Sequence, residues 1–476
     1  MAFLFLSKLA ITLAALCIAR RIYWEVTTGN RRRALARKHG CLSANFRRGI
    51  DPLLSLDQFL GNIRAYREHR FLEWWARSLS DSPHTQVFKI LGQHVFLTDD
   101  PENIKSILAT KFDSWSLGRG RITQMSAYLG KGIFTTEGAA WKHSRDMLRP
   151  CFERSQVADV SVLEKHTQRL IAILPEDGTT VDLQPLFHQL TLDIATDLLF
   201  GRSTDALAKS GKDKEVEEFI EAFEYCQNPF RDKEKSRFAV LAMFLPDPKF
   251  KKCASLIRDF TDNMISLELS NLDSKLPSER YIFLHSLIAQ TQDRAIIRSE
   301  LLNILLAGRD TTASLLSNLI WELSRTPPLD MKYLRALINE SQRMYPIVPS
   351  NEREALHDNI LPRGGGSDGS APILVPKGCY VAFHTWSLHR RPDIYGPDAH
   401  VFNPDRWLNE ENPLRPGWAY IPFSGGPRVC IGQNFALTET MFVVVRLLQF
   451  FEFESRDYEP WREKLSVTCS GLGGCK

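Results

Sequence analysis

The chain has 476 residues, 43% of them hydrophobic and 24% charged, which is enough for one large globular domain or several smaller ones. Its nine cysteines are scattered without any C-x-x-C pair, which argues against a disulfide framework or a zinc site and favours a reducing, cytosol-facing domain. The formal net charge is +4, yet residues 1–50 hold ten Lys and Arg against the single acid Glu25, so the basicity is local and a general nucleic-acid-binding protein is excluded.

The N-terminus carries the longest apolar segment before the basic cluster. Residues 2–19 are apolar except at three positions, one of them Lys8, and as a helix they would span about 27 Å, close to the hydrocarbon thickness of a thin bilayer. Positive charges follow at Arg31, Arg32, Arg33, Arg37 and Lys38. By the positive-inside rule these charges place the rest of the chain in the cytosol, and a cleaved secretory signal, the alternative, would carry its charges before the apolar run. We predict a membrane anchor at 1–21 and a basic linker at 22–50, suited to an anionic membrane surface.

Residues 51–290 give a mainly helical pattern with one predicted strand pair. Amphipathic spacing predicts helices up to residue 85. The stretch TQVFKILGQHVFLTDDP then predicts two short strands around Gly92 and a helix that begins at Pro101. Further on, Trp141 and Arg145 lie four residues apart and so share one helical face, where an exposed aromatic and cation pair is the ordinary interpretation. Residues 155–290 predict a run of helices joined by polar turns, without a chemical motif.

A long apolar helix is predicted over residues 297–323, and the sextet AGRDTT interrupts it at 307–312. Glycine at position 308 costs the helix about 1 kcal/mol relative to alanine. The hydroxyl of Thr311 can bond back to a carbonyl and loosen the helix. A purely structural helix has little reason to keep Gly308, Asp310 and Thr311 together, so the sextet is a candidate functional element.

Three charged residues downstream form a candidate cluster. Glu340 and Arg343 are three residues apart and share a helical face, a spacing that is common on solvated helices and weak by itself. Arg406, within the stretch FNPDRW, offers a third member. Because buried charges are tolerated only with hydrogen-bonded partners, we predict a Glu-Arg-Arg cluster in the core.

The stretch FSGGPRVCIG, residues 423–432, delivers Cys430 from a glycine- and proline-rich loop to the start of an apolar helix. A cysteine held in this way is a metal ligand or a nucleophile with a depressed pKa, because the helix N-terminus and the nearby Arg428 both favour the thiolate. A small buried hydrophobic cysteine is the third interpretation. Five positions fit the pattern F-x-x-G-x-R-x-C-x-G, which makes that third interpretation improbable.

This pattern resembles the haem-binding loop of the cytochrome P450 superfamily, in which the cysteine is the axial thiolate ligand of the haem iron. The sextet AGRDTT is similar to the oxygen-activation motif A-G-x-D-T-T of the same superfamily. The resemblance covers nearly the whole chain. It implies a mainly α fold, a triangular arrangement of helices with a small β-rich part, in which residues 51–476 form the haem domain behind the N-terminal membrane anchor.

The resemblance also implies the roles of particular residues. Cys430 would be the axial ligand of haem b. The other cofactor contacts would be Phe423, Arg428, Trp141, Arg145 and Arg353. Asp310 and Thr311 would help to deliver protons to O2 where a local widening of their helix leaves room for it. The cluster of Glu340, Arg343 and Arg406 would lock the haem-side core.

The implied reaction inserts one oxygen atom from O2 into a C–H bond of a small apolar substrate, with electrons from NADPH passed by a membrane-bound reductase. The stretches LPRGGGSDGSAP and HRRPDIYGPDA resemble the fungal alkane- and fatty-acid-hydroxylating cytochromes P450, so a long apolar substrate is expected. A tailoring hydroxylation in fungal secondary metabolism is the rival expectation. The expected location is the endoplasmic reticulum membrane, with a single span, a cytosolic catalytic domain and no nucleic acid as a partner.

The chain departs from the family pattern between Leu323 and Glu340. The ten residues SRTPPLDMKY occupy an interval where members of the family usually have two further helices. A catalytically impaired haem-binding protein is therefore a second hypothesis. A thiol enzyme with Cys430 as nucleophile is a third, and it lacks a flanking base of the usual kind.

Overall fold

The computed structural model describes residues 2–153, 160–208, 213–228, 245–272, 282–325, 331–411 and 413–476. Helices dominate and a small β part accompanies them, as the sequence predicts. The interval 326–330, the middle of the shortened connection, lies outside the described residues.

The helices follow one another through most of the described chain, and one of them, Arg294–Leu323, is 30 residues long. Their bounds are α1 Ala2–Trp24, α2 Asn30–Lys38, α3 Leu56–Arg67, α4 Phe71–Ser80, α5 Pro101–Lys105, α6 Arg119–Leu129, α7 Gly138–Leu148, α8 Ser161–Ile173, α9 Leu183–Phe200, α10 Lys214–Gln227, α11 Pro248–Leu272, α12 Phe283–Ile288, α13 Arg294–Leu323, α14 Met331–Met344, α15 Thr385–Leu388, α16 Pro392–Tyr395 and α17 Gln433–Phe450.

The β part consists of one six-stranded sheet and two hairpins. The strands are β1 Asn45–Phe46, β2 Thr85–Ile90, β3 Gln93–Thr98, β4 Trp115–Ser116, β5 Asn351–Ala355, β6 Asn359–Gly365, β7 Ala371–Val375, β8 Tyr380–Phe383, β9 Glu463–Leu465 and β10 Cys469–Gly471. The large sheet has the order β1-β2-β3-β8-β5-β4, with β1–β2 and β3–β8 parallel and the other pairs antiparallel. Strands β6 and β7 form one hairpin and β9 and β10 the other.

The strand pair predicted around Gly92 is confirmed, and its turn has a local cause. Leu91 and Gly92 both have positive φ, 49° and 82°, as a two-residue hairpin turn of the mirror-image type requires. The helix predicted to begin at Pro101 is also confirmed. Asp100 caps it by accepting hydrogen bonds from the backbone N–H groups of Glu102 and Asn103.

The N-terminal segment is helical for longer than the predicted anchor. Helix α1 continues through a π-helical turn, Glu25–Gly29, into α2 without a break. Arg31 and Arg32 of α2 then form ion pairs of 3.2 and 2.9 Å with the carboxylate of Asp358, which lies between β5 and β6. None of the helices in the described part of the chain is long and apolar enough to cross a membrane.

Helix α13 is buried along almost its whole length and separates two hydrophobic clusters. Its N-terminal half, including Leu301, Leu302 and Leu305, packs in a cluster with α6, α7, α10, α11 and α12. Its C-terminal half, including Leu316 and Leu319, packs in a second cluster with α8, α9, α14 and α17. The sextet 307–312 therefore lies where one cluster ends and the other begins.

Helix α17 packs against α13 through a buried polar contact. Glu439 is 1% exposed, and its side chain is hydrogen-bonded to Thr312. Burial raises the pKa of this carboxyl group to about 8, and the bond to Thr312 offsets only part of the rise. Glu439 is therefore protonated in the folded chain at pH 7.

The raised pKa of Glu439 predicts a pH-dependent gain in stability from Glu439→Gln. Between the unfolded pKa near 4.5 and the folded pKa near 8, the unfolded chain binds fewer protons, so the free energy of unfolding falls as the pH rises. The glutamine variant does not lose stability in this way. We therefore expect its free energy of unfolding, relative to that of the unmodified chain, to increase by about 1–3 kcal/mol from pH 5 to pH 8. Urea denaturation at both pH values measures this. The exposed Glu102→Gln is the control, and an equal difference at both pH values would contradict the prediction.

Candidate active site

The loop before α17 holds Cys430 through backbone hydrogen bonds. The N–H of Cys430 donates to the carbonyl oxygen of Phe423 at 3.0 Å, and the N–H of Val429 donates to that of Gly426 at 3.0 Å. Helix α17 starts three residues after the cysteine, with Gly432 as its N-cap residue. The structure therefore fixes Cys430 between a tight turn and a helix N-terminus, where the sequence predicts it.

Gly426 is required by a close contact with the backbone of Leu108, in the π-helical turn Ser106–Thr110 that follows α5. Its φ is 66°, in the left-handed region. A Cβ at this position would lie 1.9 Å from the carbonyl oxygen of Leu108, a backbone atom that cannot move aside cheaply. The loop approaches this backbone as closely as a glycine allows.

The expected depression of the Cys430 pKa is wrong. Burial raises the pKa of the thiol, and the opposing effects of the Gly432 N–H and of Arg145 do not outweigh it. The cation that acts on the thiol is thus Arg145, on α7, and not Arg428, as the sequence had suggested. A thiol that stays protonated alone is a poor nucleophile and ionises when it binds a metal ion.

Arg145, Arg428 and Trp141 meet around this loop. Arg145 donates to the carbonyl oxygen of Val429 at 3.0 Å, and Arg428 donates to that of Thr136 at 2.8 Å. The indole ring of Trp141 contacts both cations, with its centroid 4.5 Å from the Arg428 guanidinium carbon and 5.9 Å from that of Arg145. Such cation–π contacts hold the guanidinium groups in place.

Arg353 and Arg121 extend the positive charge on the sheet side. Both donate to the side-chain oxygen of Asn351, at 2.9 and 2.8 Å. Burial, together with the neighbouring Arg121 and Arg428, lowers the pKa of Arg353 to about 9. Burial likewise lowers the pKa of Arg428 to about 10, against the opposing effect of Glu137. Sequence reasoning missed Arg121, because the stretch RGR at the start of α6 carries no recognisable motif.

Four arginines, whose pKa values burial lowers, fit an anionic group with two carboxylates near a thiol. The side chains of Arg121, Arg145, Arg353 and Arg428 provide many more donors than their protein partners accept, since each guanidinium has five N–H groups. Guanidinium groups bind carboxylates with paired, charge-assisted hydrogen bonds. Haem carries two propionates and an iron that takes a thiolate ligand, so the residues present fit haem.

A cavity of about 540 Å³ opens beside Cys430 on the α7 side. Arg145, Arg149, Phe152 and Gln433 are among its lining residues. The acids Asp146 and Glu153 also line it, so cations and carboxylates both lie beside the face of the loop that carries the thiol.

The sextet of α13 stays helical, so the expected widening does not interrupt the helix. The Thr311 hydroxyl donates back to the Ala307 carbonyl oxygen, the bond anticipated from its sequence position. A Cβ at Gly308 would lie 3.9 Å from the nearest side chain, Ala195, so packing does not demand glycine there. Asp310 is 5% exposed, and its carboxylate accepts a 2.8 Å hydrogen bond from Gln227 of α10.

The structure brings Glu340, Arg343 and Arg406 together. The carboxylate of Glu340 accepts from Arg343 at 2.7 and 2.8 Å and from Arg406 at 3.0 Å. Arg343 also donates to the carbonyl oxygens of His389 and Ala399 at 2.7 and 2.6 Å. Glu340 and Arg343 are fully buried, and this network satisfies their charges while it ties α14 to the loop after α16.

Comparison with known protein families identifies the family of this chain. The family described as Cytochrome P450 matches residues 59–330 and 329–469. The chain belongs to the cytochrome P450 family. Haem is therefore the cofactor that the family implies, and the mainly helical structure with its small sheets is the fold of a cytochrome P450. The two matched stretches of this cytochrome P450 meet at 329–330, inside the shortened interval.

Several named relatives cover most of this cytochrome P450. Cytochrome P450 52A4 of Candida maltosa is 42% identical over 440 residues, which cover 83% of this chain and 81% of the relative. Cytochrome P450 52A1 of Candida tropicalis is 44% identical over 404 residues, 76% and 73% of the two chains. Cytochrome P450 monooxygenase himC of Aspergillus japonicus is 38% identical over 472 residues, 92% and 83%. The relatives named 52A confirm the predicted likeness to the alkane-inducible group.

The contact at Gly426 predicts that Gly426→Ala disrupts the cysteine loop far more than Gly378→Ala does. Gly378 has a similar φ of 79° but no atom within 4 Å of a new Cβ, so it isolates the backbone strain, which costs about 1–2 kcal/mol. At Gly426 the added methyl group must also displace the Leu108 backbone. We expect haem per polypeptide to fall several-fold in Gly426→Ala and to stay near the unmodified value in Gly378→Ala. Equal haem contents in the two variants would refute the requirement for glycine.

Proposed function

We propose that this protein is a haem-thiolate monooxygenase that hydroxylates a long apolar substrate such as a fatty acid or an alkane. One observation carries the proposal: Cys430, on a loop that matches F-x-x-G-x-R-x-C-x-G, lies beside arginines that suit the two propionates of haem. Haem b, when bound, supplies the redox chemistry that activates O2. The overall balance is substrate, O2, NADPH and one proton giving hydroxylated substrate, water and NADP⁺.

The residues of this chain contribute binding, orientation and proton supply. We assign Cys430 as the axial ligand and Arg145, Arg353, Arg428 and Trp141 as the residues that hold the propionates. Phe423, whose carbonyl oxygen accepts the N–H of Cys430, positions the ligand loop. The charge-assisted bonds of the arginines also exclude water from that edge of the cofactor.

Asp310 and Thr311 are proposed to move protons toward bound O2. The hydroxyl of Thr311 can exchange its bond to the Ala307 carbonyl for one to O2, since the helix backbone retains its own hydrogen bonds. Asp310 is the buried acid next to it in the chain. The glutamate-arginine cluster of Glu340, Arg343 and Arg406 has a structural role beneath this chemistry.

The electrons are proposed to come from NADPH through a membrane-bound reductase. A cavity lined by two cations, Arg145 and Arg149, and two acids, Asp146 and Glu153, opens beside Cys430 and offers this partner a polar surface close to the thiol. The partners are then this reductase, the lipid bilayer, O2 and the substrate.

The relatives support two substrate classes. Those named 52A favour fatty acids and alkanes, the expectation from the sequence. Hydroxylation in fungal secondary metabolism is the second candidate, since relatives outside that group, himC and fsdH, cover larger shares of the chain, 92% and 99%. The two substrate classes are separated by measuring turnover of C10–C18 fatty acids and n-alkanes by the protein with NADPH and a fungal reductase. The absence of any turnover despite bound haem would favour a third candidate, the impaired haem-binding protein suggested by the short interval before Glu340.

Replacement of the proposed ligand tests the central claim. We expect Cys430→Ala to abolish the Soret band of a thiolate-ligated haem in the reduced carbon monoxide difference spectrum, because alanine offers no ligand atom. Cys253→Ala, which changes a partly buried cysteine of α11, is the matched control and should keep the band. A Cys430→Ala protein with an unchanged band would overturn the proposal.

We also propose that the protein is attached to the endoplasmic reticulum membrane by residues 1–21, with the catalytic domain in the cytosol. The apolar sequence of α1 and the basic residues after it support this attachment. Part of that charge has internal partners, since Arg31 and Arg32 pair with Asp358 and Arg33 pairs with Glu25 at 2.6 Å.

Removal of residues 1–20 should weaken membrane attachment without abolishing it. The remaining Lys and Arg side chains bind anionic headgroups at about 1 kcal/mol each near the surface. We therefore expect a high-salt wash to release the truncated protein from microsomes but not the full-length protein. Complete release of the truncated form at low salt would show that no secondary contact exists.

A further inference from the structure

Two buried polar side chains of α13, Glu300 and Asn303, have no role in the proposed chemistry. Glu300 is 1% exposed, Asn303 is fully buried, and their spacing of three residues places them on one face of the helix. Burial raises the pKa of the Glu300 carboxyl group to about 7, and a hydrogen bond from Ser144 offsets only part of the rise. An apolar side chain would be buried here without this cost, so the helix keeps the polar pair at the expense of stability.

Glu300 attaches α7 to α13 at the turn that carries two of the proposed haem contacts. The buried hydroxyl group of Ser144 donates a hydrogen bond to Oε1 of Glu300. Ser144 lies between Trp141 and Arg145 on α7, three residues after the first and directly before the second. The bond therefore fixes the part of α7 from which both of these side chains extend toward the cysteine loop, where Arg145 donates to the Val429 carbonyl oxygen.

Asn303 holds the segment 129–136, which in turn supports Arg428. The side-chain oxygen of Asn303 accepts a hydrogen bond from the backbone N–H of Phe134 at 2.9 Å. Arg428 donates to the carbonyl oxygen of Thr136, in the same segment, at 2.8 Å. The face of α13 that supports α7 therefore also supports Arg428.

We propose that Glu300 and Asn303 are positioning residues that hold Arg145 and Arg428 in place for the two carboxylates of the cofactor. This inference rests on the proposed function, in which these arginines bind the propionates of haem. A guanidinium group makes paired, charge-assisted hydrogen bonds to a carboxylate only in a narrow range of orientations, so the support behind each arginine affects how well it binds. Because α13 is one continuous helix, the supports of both arginines and the sextet 307–312 keep a fixed relative position.

Replacement of Glu300 tests the first support. Glu300→Leu removes the acceptor of the Ser144 hydrogen bond, and Glu300→Gln keeps an acceptor in its side-chain carbonyl oxygen. The matched control is Glu322→Leu, because Glu322 is a buried glutamate of the same helix whose pKa burial also raises to about 7, but it accepts from Tyr345 at 2.6 Å. The measurement is the rate at which the holoprotein loses haem to an excess of apomyoglobin.

We expect Glu300→Leu to lose haem about tenfold faster than the unmodified protein, the effect of weakening one charge-assisted hydrogen bond. Glu300→Gln and Glu322→Leu should keep rates close to that of the unmodified protein. A purely structural role would give the two leucine variants the same rate, and this result, or a glutamine variant as fast as Glu300→Leu, would overturn the inference. Should Glu300→Leu not fold, Ser144→Ala decides, because it removes the same hydrogen bond: an unchanged rate would overturn the inference as well.

Asn303→Leu tests the second support in the same assay. Its control is Asn318→Leu, since Asn318 is a buried asparagine of α13 that accepts a 3.1 Å hydrogen bond from the indole N–H of Trp461. Faster haem loss is expected for Asn303→Leu alone, and equal rates in these two variants would contradict the role of Asn303. All variants should keep the Soret band of a thiolate-ligated haem, because Cys430 is unchanged. An unmodified protein without this band would refute the proposed function itself, whereas unfavourable transfer rates leave that function standing.

Discussion

The burial of a helix that carries a polar sextet is the constraint on which the rest of the structure depends. Buried polar groups must find hydrogen-bond partners, because leaving them without partners costs several kcal/mol. In α13 these partners come from the neighbouring helices: Thr191 of α9 donates to the Arg309 carbonyl oxygen at 2.8 Å, and Gln227 of α10 serves Asp310. The sextet thus fixes where α9 and α10 lie, and the two hydrophobic clusters on either side of it follow.

The positive charges around the cysteine loop are not fully compensated by the protein chain alone. Burial lowers the pKa values of Arg353 and Arg428 and raises that of the Cys430 thiol, so the protein chain alone has several cations and an uncharged sulfur there. Under the proposed assignment, the propionates of haem would compensate the guanidinium groups and its iron would ionise the thiol. Binding of the cofactor and folding of this region would then be coupled.

The sequence predicted what depends on local chemistry and on motif spacing. The strands beside Gly92 and the helix start at Pro101 follow from turn and cap residues, and the position of Cys430 follows from its glycine-rich loop. A residue whose contact is distant in sequence was missed: Arg121 reaches Asn351 across 230 residues. The predicted lowering of the Cys430 pKa was wrong because the sequence shows the helix N-terminus but not the desolvation of the sulfur, which raises the pKa although the residue as a whole is exposed.

The ion pairs between α2 and Asp358 change the mechanical character of the N-terminus. Because α1, the π-helical turn and α2 form one continuous helix, residues 2–38 act as a rod whose end is fixed to the sheet region, and not as a flexible tether. In such a rod, each residue inserted before Asn30 rotates everything upstream by about 100° and shifts it by about 1.5 Å. The length of this segment therefore sets which side of α1 faces the rest of the described chain.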